Sequence, residues 1–316
     1  MIAEYFLSLD PLALLRAMPG TAAQGIIWGI MALGVYITYR ILDFPDLTVD
    51  GSLATGAATA VMLIQGGMSP ALSLVFALLA GMAAGMVTGL LHTGLGIPGI
   101  LASILTQVSL YSVNLGIMGK SNQGISLTQQ GLVASSRYVT GDDRVFFFLK
   151  LILGCLILVA IVYWFFGTEM GAAIRATGCN PQMARAQGIN TNLNKVIGLM
   201  LSNGLVALSG ALLAQYQGFA DINMGRGSIV IGLAAVIIGE ALLSRIFRNF
   251  ALKLVSVAVG SIVYYLVYQV VIWCKVDTDL LKAFSAVVVA IFLAVPYWKA
   301  KYFTRVDVRK GGSGRA

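Results

Sequence analysis

Three aspartates close together in the chain are the first side chains that could bind a charged ligand. Asp43, Asp46 and Asp50 lie in the run ILDFPDLTVDGS at residues 41–52. A carboxylate inside a bilayer costs roughly 2.5–3.5 kcal/mol, so such a group faces water or a polar partner. For Asp43 and Asp46 the sequence favours a solvated turn between two helices. Asp50, with Ser52 beside it, either lines a polar entrance, where it could bind the amino group of a substrate, or caps the helix that follows.

A second group of polar side chains recurs at helical spacing. Gln107, Tyr111 and Asn114 are spaced i, i+4, i+7 and therefore share one face of a helix. Buried polar groups need hydrogen-bond partners where water is absent. The stripe predicts either the lining of a translocation path or hydrogen bonds to neighbouring helices.

A polar segment at 167–195 contains the signals of a short helix with a defined start and stop. Asn180 is a good N-cap, Pro181 suits the first helical position, and Gly188 suits a left-handed residue after the helix. Such a short, rigid helix could dock into a groove on a soluble partner that hydrolyses ATP. The alternative is an amphipathic loop helix that covers the membrane surface. Between its two ends the helix presents Met183, Ala184 and Arg185.

The sequence predicts no catalytic, cofactor-binding or metal-binding residues in this chain. Residues 114–121 come nearest to a nucleotide-binding loop, but Asn stands where the first Gly is needed for the backbone turn. The three cysteines are widely separated and lack metal-ligand spacing. The one histidine, His92, has no nucleophile or metal partner in view and is expected to be a surface cap or packing residue. Any ATP hydrolysis therefore belongs to another subunit.

The composition indicates a protein that lies in membrane lipid. Of the 316 residues, 58% are hydrophobic and 11% are charged, whereas soluble proteins carry about 25% charged residues. The formal net charge is +8, but the basic residues lie at the ends of apolar runs. They therefore indicate membrane topology and not binding of nucleic acid.

Apolar runs predict an all-α, polytopic membrane fold with about nine transmembrane helices. Residues 1–19 carry charges and are interrupted by Pro11 and Pro19, so they are expected to form an interfacial segment, with a tenth span as the alternative. Residues 20–299 form the transmembrane domain, and 300–316 form a basic tail. The predicted spans are 17–39, two runs between 50 and 92, 97–118, 146–166, 194–218, 227–244, 254–274 and 280–298.

The positive-inside rule selects the orientation of these spans. A cytoplasmic C-terminus puts most Lys and Arg residues, including the basic tail, on the cytoplasmic side. The segment 167–195 then also faces the cytoplasm. Glu240, near the inner end of its span, is expected to pair with Arg245 or Arg248.

The aspartate run has a partial copy later in the chain. The run FPDL at 44–47 is followed by the dipeptide Gly51-Ser52. The run FADI at 219–222 is followed by the dipeptide Gly227-Ser228. In the span assignment, the helices that precede the two copies run in opposite directions, so the repeat is predicted to be inverted. Inverted repeats with interrupted helices are typical of transporters, whose substrate path lies near the midplane. Chance similarity in a glycine-rich chain is the alternative.

Two stretches of this sequence resemble a known family. The run RATGCNPQMARAQGIN at 175–190 resembles the coupling-helix segment of the permease family of ABC importers that includes the branched-chain amino-acid and ribose systems. The run at 41–52 resembles that family's first conserved block, and most resembles the subgroup linked to tryptophan, tyrosine and similar amino acids. The resemblance covers roughly residues 20–300. Cys179 departs from the acidic residue expected before Asn180.

The resemblance implies a homodimeric permease with two cytoplasmic ATP-binding subunits and an extracytoplasmic solute-binding protein. On matching positions, the contact with the ATP-binding subunits would consist of Arg175, Asn180, Pro181, Ala184, Arg185 and Gly188.

The prediction is therefore a multi-pass permease subunit of a bacterial inner membrane that imports a small polar solute, expected to be an amino acid, by ATP-driven alternating access. The chain itself is not expected to be an enzyme. The alternatives are an ion-coupled secondary transporter, which can also use inverted repeats and midplane carboxylates, and a membrane scaffold that transports nothing. The predicted substrate path comprises Asp50, Ser52, Gln107, Tyr111, Asn114 and Ser228.

Overall fold

A computed structural model describes residues 11–125, 131–140, 144–243 and 249–274, with six further positions between 283 and 294. A π-helical turn, Ile37–Ile41, follows the first helix, and two short strands, β1 (Asn122–Gly124) and β2 (Phe219–Asp221), pair antiparallel. The α-helices are α1 Pro11–Tyr36, α2 Thr48–Gln65, α3 Pro70–Thr93, α4 Gly99–Met118, α5 Arg137–Thr140, α6 Arg144–Gly167, α7 Glu169–Cys179, α8 Pro181–Ala186, α9 Thr191–Gln217, α10 Ser228–Leu243 and α11 Phe250–Trp273.

Within the described residues, six helices are long and apolar enough to cross a bilayer. They are α1 with its π-helical turn, α3, α4, α6, α9 and α11. The helices α2, with 18 residues, and α10, with 16, are shorter. Together these eight coincide with the first eight predicted spans. The ninth, at 280–298, and the tail at 300–316 fall largely or wholly outside the described residues, so the total of nine stays a prediction.

The predicted interruption of the chain at Pro19 is wrong, because Pro19 lies inside α1. A proline removes one backbone hydrogen bond, but contacts with neighbouring helices can hold a membrane helix together across it. The Tyr216 hydroxyl donates to the Gly20 carbonyl at 3.2 Å, and the Thr21 hydroxyl donates to Gln269 Oε1 at 3.0 Å. The interfacial position of residues 1–19 stays a prediction.

The long helices alternate in direction between two ends of the molecule. At one end, α3 finishes where α9 begins, because Lys195 Nζ lies 3.1 Å from His92 Nε2. This end also carries α8 and is called the α8 end. At the other end, the Gln65 side chain donates to the Gly124 carbonyl at 2.7 Å, so α2 finishes beside β1. This second end is called the sheet end.

Glycines allow the backbones of neighbouring helices to approach closely. Gly81, Gly85 and Gly89 recur every four residues on the face of α3 that packs against α9. A Cβ atom on Gly81 would overlap the carbonyl oxygen of Asn203, and one on Gly85 would overlap that of Leu199. Such small-residue faces are typical of packed membrane helices. They fix the position of α9, which carries Asn203.

The α8 end also holds an ion pair between Arg40 and Glu240. Arg40 Nε lies 3.1 Å from Glu240 Oε1, and the side chains are 59% and 29% exposed. The sequence predicted Arg245 or Arg248 as the partner of Glu240, and both lie outside the described residues. Arg40 was missed because it is 200 positions away in the chain.

Candidate functional site

Asp50 joins the beginnings of the two short helices. It lies in the first turn of α2, and its Oδ1 accepts hydrogen bonds from the Ser228 hydroxyl at 2.9 Å and the Ile229 amide at 3.0 Å. Its Oδ2 accepts from the Gly227 amide at 2.9 Å. The first amides of a helix lack partners within the helix and favour a negative charge. Asp50 therefore caps α10 and does not cap its own helix, which was one of the two alternatives that the sequence left open.

Asp46 is buried and bonded inside the protein. It is 3% exposed, its Oδ1 accepts from the Thr48 amide at 2.9 Å, and its Oδ2 accepts from Asn203 Nδ2 at 2.8 Å. The solvated-turn prediction is therefore wrong for Asp46, whereas Asp43 is exposed as predicted. Asn203 Oδ1 in turn accepts from the Ser52 hydroxyl at 2.7 Å. Ser52 thus bonds to α9.

The two copies of the repeat share one local feature. Asp46 Oδ1 accepts from the amide two residues later, and Asp221 Oδ1 accepts from the Asn223 amide at 2.7 Å in the same way. Short helices, α2 and α10, follow the two copies, and Asp50 connects their first turns. The surrounding segments differ, because the second copy forms β2 and the first copy does not. The inverted relationship of the two halves therefore stays a prediction.

A cavity of about 270 Å³ lies beside Asp50, between α2, α4 and the turn before α10. Asp50, Gln107, Tyr111 and Asn114, which the sequence grouped as path residues, all line this cavity. Ser228 is bonded to Asp50, whereas Ser52 is fully buried against α9. The structure thus brings together the polar stripe of α4 and the carboxylate of Asp50.

Asn114 carries an unpaired acceptor at the wall of this cavity. The residue is 1% exposed, and its Oδ1 has no hydrogen-bond partner among the residues that the structure describes. Its Nδ2 lies 3.5 Å from the Gly51 carbonyl, the outer limit of a hydrogen bond. A buried polar group without a partner costs about 1–3 kcal/mol. A hydrogen-bond donor that enters the cavity would remove this cost.

Arg226 also lines the cavity and was missed by the sequence interpretation. Its side chain is exposed, and among the described residues no carboxylate lies within ion-pair distance of its guanidinium. Arg226 stands just before Ser228 in the second copy of the repeat. Its position beside a predicted path residue was the signal that could have identified it. Asn203 gave no comparable signal, because its partners lie far away in the sequence.

The short helix of the polar segment has the predicted start and stop. Asn180 Oδ1 accepts from the amides of Gln182 at 3.1 Å and Met183 at 3.0 Å. Pro181 is the first residue of α8, and Gly188 has a φ of 79°. These observations confirm the cap, the first helical residue and the left-handed stop. The capping of both ends gives α8 a fixed shape.

The side chains of α8 divide into an exposed and a buried set. Met183 is 62% exposed and Arg185 is exposed, whereas Ala184 is 2% exposed. Ala184 packs inward, so the prediction that it is presented to a partner is wrong for its side chain. Arg185 Nε donates to Thr191 Oγ1 at 2.8 Å, which joins α8 to α9. Arg175 on α7 is exposed, and its guanidinium lies 5.9 Å from the Phe250 ring.

Close contacts connect α7 and α8 to the segment that leads to the cavity. A Cβ atom on Gly178 would overlap the carbonyl oxygen of Ile41, so the end of α7 lies directly on the end of the π-helical turn. Asn194 of α9 donates to Thr177 of α7 at 3.3 Å. From Ile41 the chain continues through the buried Asp46 into α2. A shift of α7 and α8 would therefore act on both α9 and the start of α2.

His92 packs at the α8 end. Its Nδ1 lies 2.8 Å from the Ile97 carbonyl, and Lys195 Nζ lies 3.1 Å from its Nε2. The rings of Phe44 and His92 form a T-shaped, edge-to-face pair, with centroids 5.2 Å apart. These contacts agree with the predicted packing role.

Comparison with known proteins gives matches over most of the chain. Residues 18–296 match the family described as "Branched-chain amino acid transport system / permease component". A tyrosine transport system permease protein of Clostridioides difficile is 41% identical over 273 residues, which cover 86% of this chain and 88% of that protein. An uncharacterised protein of Rickettsia prowazekii is 35% identical over 273 residues, covering 86% of this chain and 94% of that protein.

A third relative is an autoinducer 2 import system permease protein of Yersinia pseudotuberculosis. It is 31% identical over 212 residues, which cover 66% of this chain and 58% of that protein. The family match includes α8, both short helices and the cavity residues. The apolar helices and the family together identify a multi-pass integral membrane protein, and the ATPase of such a system is a separate subunit. This chain therefore belongs to the branched-chain amino-acid transport permease family, the membrane-spanning components of ABC-type transport systems.

Proposed function

We propose that this chain forms the membrane path of an importer that carries an α-amino acid inward and is driven by ATP hydrolysis in separate subunits. The observation that supports this most is the cavity at Asp50, which combines a carboxylate, an unpaired amide oxygen and a guanidinium. An α-amino acid carries an ammonium and a carboxylate on one carbon atom, so it can use all three groups. The tyrosine transport relative supports the same class of solute.

The charges of the cavity fit the two ends of such a zwitterion. The ammonium donates to the unpaired Asn114 Oδ1 and is attracted by the Asp50 carboxylate. The carboxylate of the amino acid binds the guanidinium of Arg226, because the planar N–H donors of a guanidinium can form two parallel hydrogen bonds with a carboxylate. Gln107 and Tyr111 add neutral hydrogen-bonding groups to the wall. A solute with only one of these charges would leave part of the site unsatisfied.

In this proposal α8 receives force from the ATP-binding subunits on the cytoplasmic side. Its exposed Met183 and Arg185 form the contact, and the cap at Asn180 and the stop at Gly188 keep the helix rigid. Arg175 and Pro181, both exposed, extend the same surface. Movement then passes through the contact of α7 with Ile41 to the start of α2, where Asp50 stands.

A second copy of the chain would close the cavity. Tyr111 is 44% exposed and Ser112 is exposed on α4, and hydroxyl groups that face lipid lack hydrogen-bond partners. Contact with a second α4 would shield these groups from lipid and form a path between the two subunits. A binding protein outside the bacterial inner membrane delivers the solute to this path. In this arrangement the C-terminus is cytoplasmic.

Reconstitution of the complete transporter in liposomes tests the proposal. Uptake of labelled amino acids should require the ATP-binding subunits and ATP on their side, and a variant Asn114→Leu should lose most uptake while it still assembles. Ser109→Ala is the matched control, because Ser109 lies on α4 outside the cavity lining, and within the described part of the chain its hydroxyl bonds only to the Leu105 carbonyl, at 2.9 Å. Uptake by the chain alone in an ion gradient would favour a secondary transporter. The absence of flux in both assays would favour a scaffold.

A further inference from the structure

The ion pair between Arg40 and Glu240 connects the turn after α1 to the far end of α10. Arg40 belongs to the π-helical turn Ile37–Ile41, and Glu240 lies in the last turn of α10. The first turn of α10 is bonded to Asp50 through the Ser228 hydroxyl at 2.9 Å. α10 therefore extends from the cavity to the α8 end, and each of its ends is bonded to another segment.

The position of Glu240 is not favoured by α10 itself. The carboxyl end of a helix carries a partial negative charge, which repels an acid in the last turn and attracts a cation there. Arg40 stands in the last turn of its own segment, where a cation is favoured. The ion pair thus offsets the unfavourable position of Glu240 and holds the ends of two helical segments together.

The segment that carries Arg40 contacts α7 and has an irregular backbone. A Cβ atom on Gly178 of α7 would overlap the Ile41 carbonyl oxygen, so α7 lies on the residue directly after Arg40. π-helical turns are rare and occur frequently at functional sites. Asp43, two residues further on, has a φ of 50°, which residues other than glycine adopt uncommonly. Irregular positions at the end of a helix are where hinges absorb changes in backbone angle.

The helix that carries Glu240 is closely packed against a long neighbour. A Cβ atom on Gly239 would overlap the Ser256 carbonyl oxygen, so the backbones of α10 and α11 are in direct contact. Close packing of this kind leaves little room for a helix to bend. A displacement at Glu240 therefore reaches Ser228 and the turn before it, which carries Arg226.

We propose that Arg40 and Glu240 are positioning residues that transmit the movement of α7 and α8 to α10. This inference rests on the proposed function, in which α8 receives force from the ATP-binding subunits. The same movement reaches α2 through the chain that follows Ile41, so the ion pair makes α2 and α10 move together. Asp50 and Arg226, which both line the cavity, then move as one unit. Without the pair, α2 moves without α10, and ATP is hydrolysed without import.

Import per ATP hydrolysed measures this link in the complete transporter, reconstituted in liposomes with its binding protein and given a mixture of labelled L-amino acids. Arg40→Gln should lower the number of molecules imported per ATP about tenfold. Copurification with the ATP-binding subunits and the rate of ATP hydrolysis should not change, whereas a defect in folding or docking would lower both. An ion pair with this exposure contributes little to stability, so thermal unfolding should shift by no more than about 3 °C.

Lys253→Gln is the matched control for the loss of a cation. Lys253 is exposed near the start of α11, and no carboxylate of a described residue lies within ion-pair distance of its ammonium group. This variant should import as many molecules per ATP as the wild-type protein. Equal import per ATP by Arg40→Gln and Lys253→Gln would show that the ion pair does not transmit the movement.

Exchange of the two charges tests whether the attraction itself is required. Arg40→Glu and Glu240→Arg each place like charges at the pair and should lose import per ATP as Arg40→Gln does. The double variant forms the ion pair in reverse and should recover most of the wild-type value. A double variant that assembles but stays as uncoupled as the single variants would overturn the proposal. If charge reversal prevents assembly, Arg40→Lys, which keeps the positive charge, should retain most import per ATP, and equal loss in Arg40→Lys and Arg40→Gln would contradict a role for the charge.

The proposed function and this inference fail in different ways. If the wild-type transporter imports amino acids with ATP and Arg40→Gln imports as many molecules per ATP, the inference fails alone. If the wild-type transporter takes up no amino acid in an ATP-dependent manner, the proposed function fails.

Discussion

The hydroxyl of Ser228 at the start of α10 donates a hydrogen bond to Asp50 Oδ1 at 2.9 Å, although the two residues lie 178 positions apart in the chain. The amides of Gly227 and Ile229 donate to the same carboxylate. Asp50 thereby holds α2 and α10 together at the wall of the cavity. A change at this point acts on the fold and on the solute site at once.

Asp50→Ala should lower the free energy of unfolding by about 3 kcal/mol, because it removes a charged acceptor from three donors at the start of α10. Denaturant-induced unfolding of the purified protein in detergent measures this change. Ser112→Ala, at an exposed cavity residue, should change stability by less than about 0.5 kcal/mol. If the two variants are equally stable, Asp50 does not hold the two helices together.

Variants at Asp46 and Asn203 test whether the Asp46 carboxylate has a structural role or takes up and releases protons during transport. Asp46→Asn retains one of the two oxygen acceptors that Asp46 uses, and the folded variant should keep most ATP-driven uptake, since the proposed importer does not require protonation of this group. Asn203→Leu should cost about 3 kcal/mol in unfolding free energy, because it leaves Oδ2 of the buried Asp46 carboxylate without its donor. Uptake assays and unfolding measurements on both variants check these outcomes. Loss of uptake in a well-folded Asp46→Asn variant would favour the ion-coupled alternative.

Met183→Asp tests the docking surface on α8. Met183 is 62% exposed, so the substitution should leave the stability of the permease unchanged, within about 0.5 kcal/mol. Copurification with the ATP-binding subunits should fall sharply, because a charge then replaces an apolar contact. Asn223→Asp adds the same charge at the sheet end, where the residue is exposed, and should assemble normally. Normal assembly of Met183→Asp would exclude this surface as the contact.

Gly85 tests the close packing of α3 on α9. Gly85→Ala should destabilise the protein by about 1–3 kcal/mol, because the added Cβ would overlap the Leu199 carbonyl. Gly154→Ala is the matched control, since no atom of a described residue lies within 4 Å of a Cβ atom at that helical position. It should stabilise the protein by about 0.5–1 kcal/mol. Thermal unfolding of the two variants should therefore shift in opposite directions.

Local signals in the sequence predicted the helices and the cap of α8 well. Asn180, Pro181 and Gly188 act through hydrogen bonds and backbone angles within a few residues of themselves, so their roles are readable from spacing. The stripe of Gln107, Tyr111 and Asn114 was also found from helical spacing, and the structure places it at one cavity.

Contacts between distant parts of the chain escaped the sequence. Asp46 was expected in solvent, because its partner Asn203 is 157 positions away and nothing local indicates the pairing. Asp50 lines the polar cavity, but its capping of α10, instead of its own helix, depends on a contact that only tertiary packing creates. The break predicted at Pro19 failed for the same reason, since contacts of Gly20 and Thr21 with other helices support α1.

The central claim requires α8 to face the compartment that contains ATP. Cys179, at the end of α7 beside α8, is exposed, Cys155 is buried, and the half-buried Cys274 is replaced by serine so that labelling reports on Cys179. A membrane-impermeant maleimide should label Cys179 in inside-out vesicles and not in intact cells, while a cysteine introduced as Asn223→Cys at the sheet end should show the reverse. Labelling of Cys179 from outside intact cells would place α8 on the wrong side of the membrane and contradict the proposed importer.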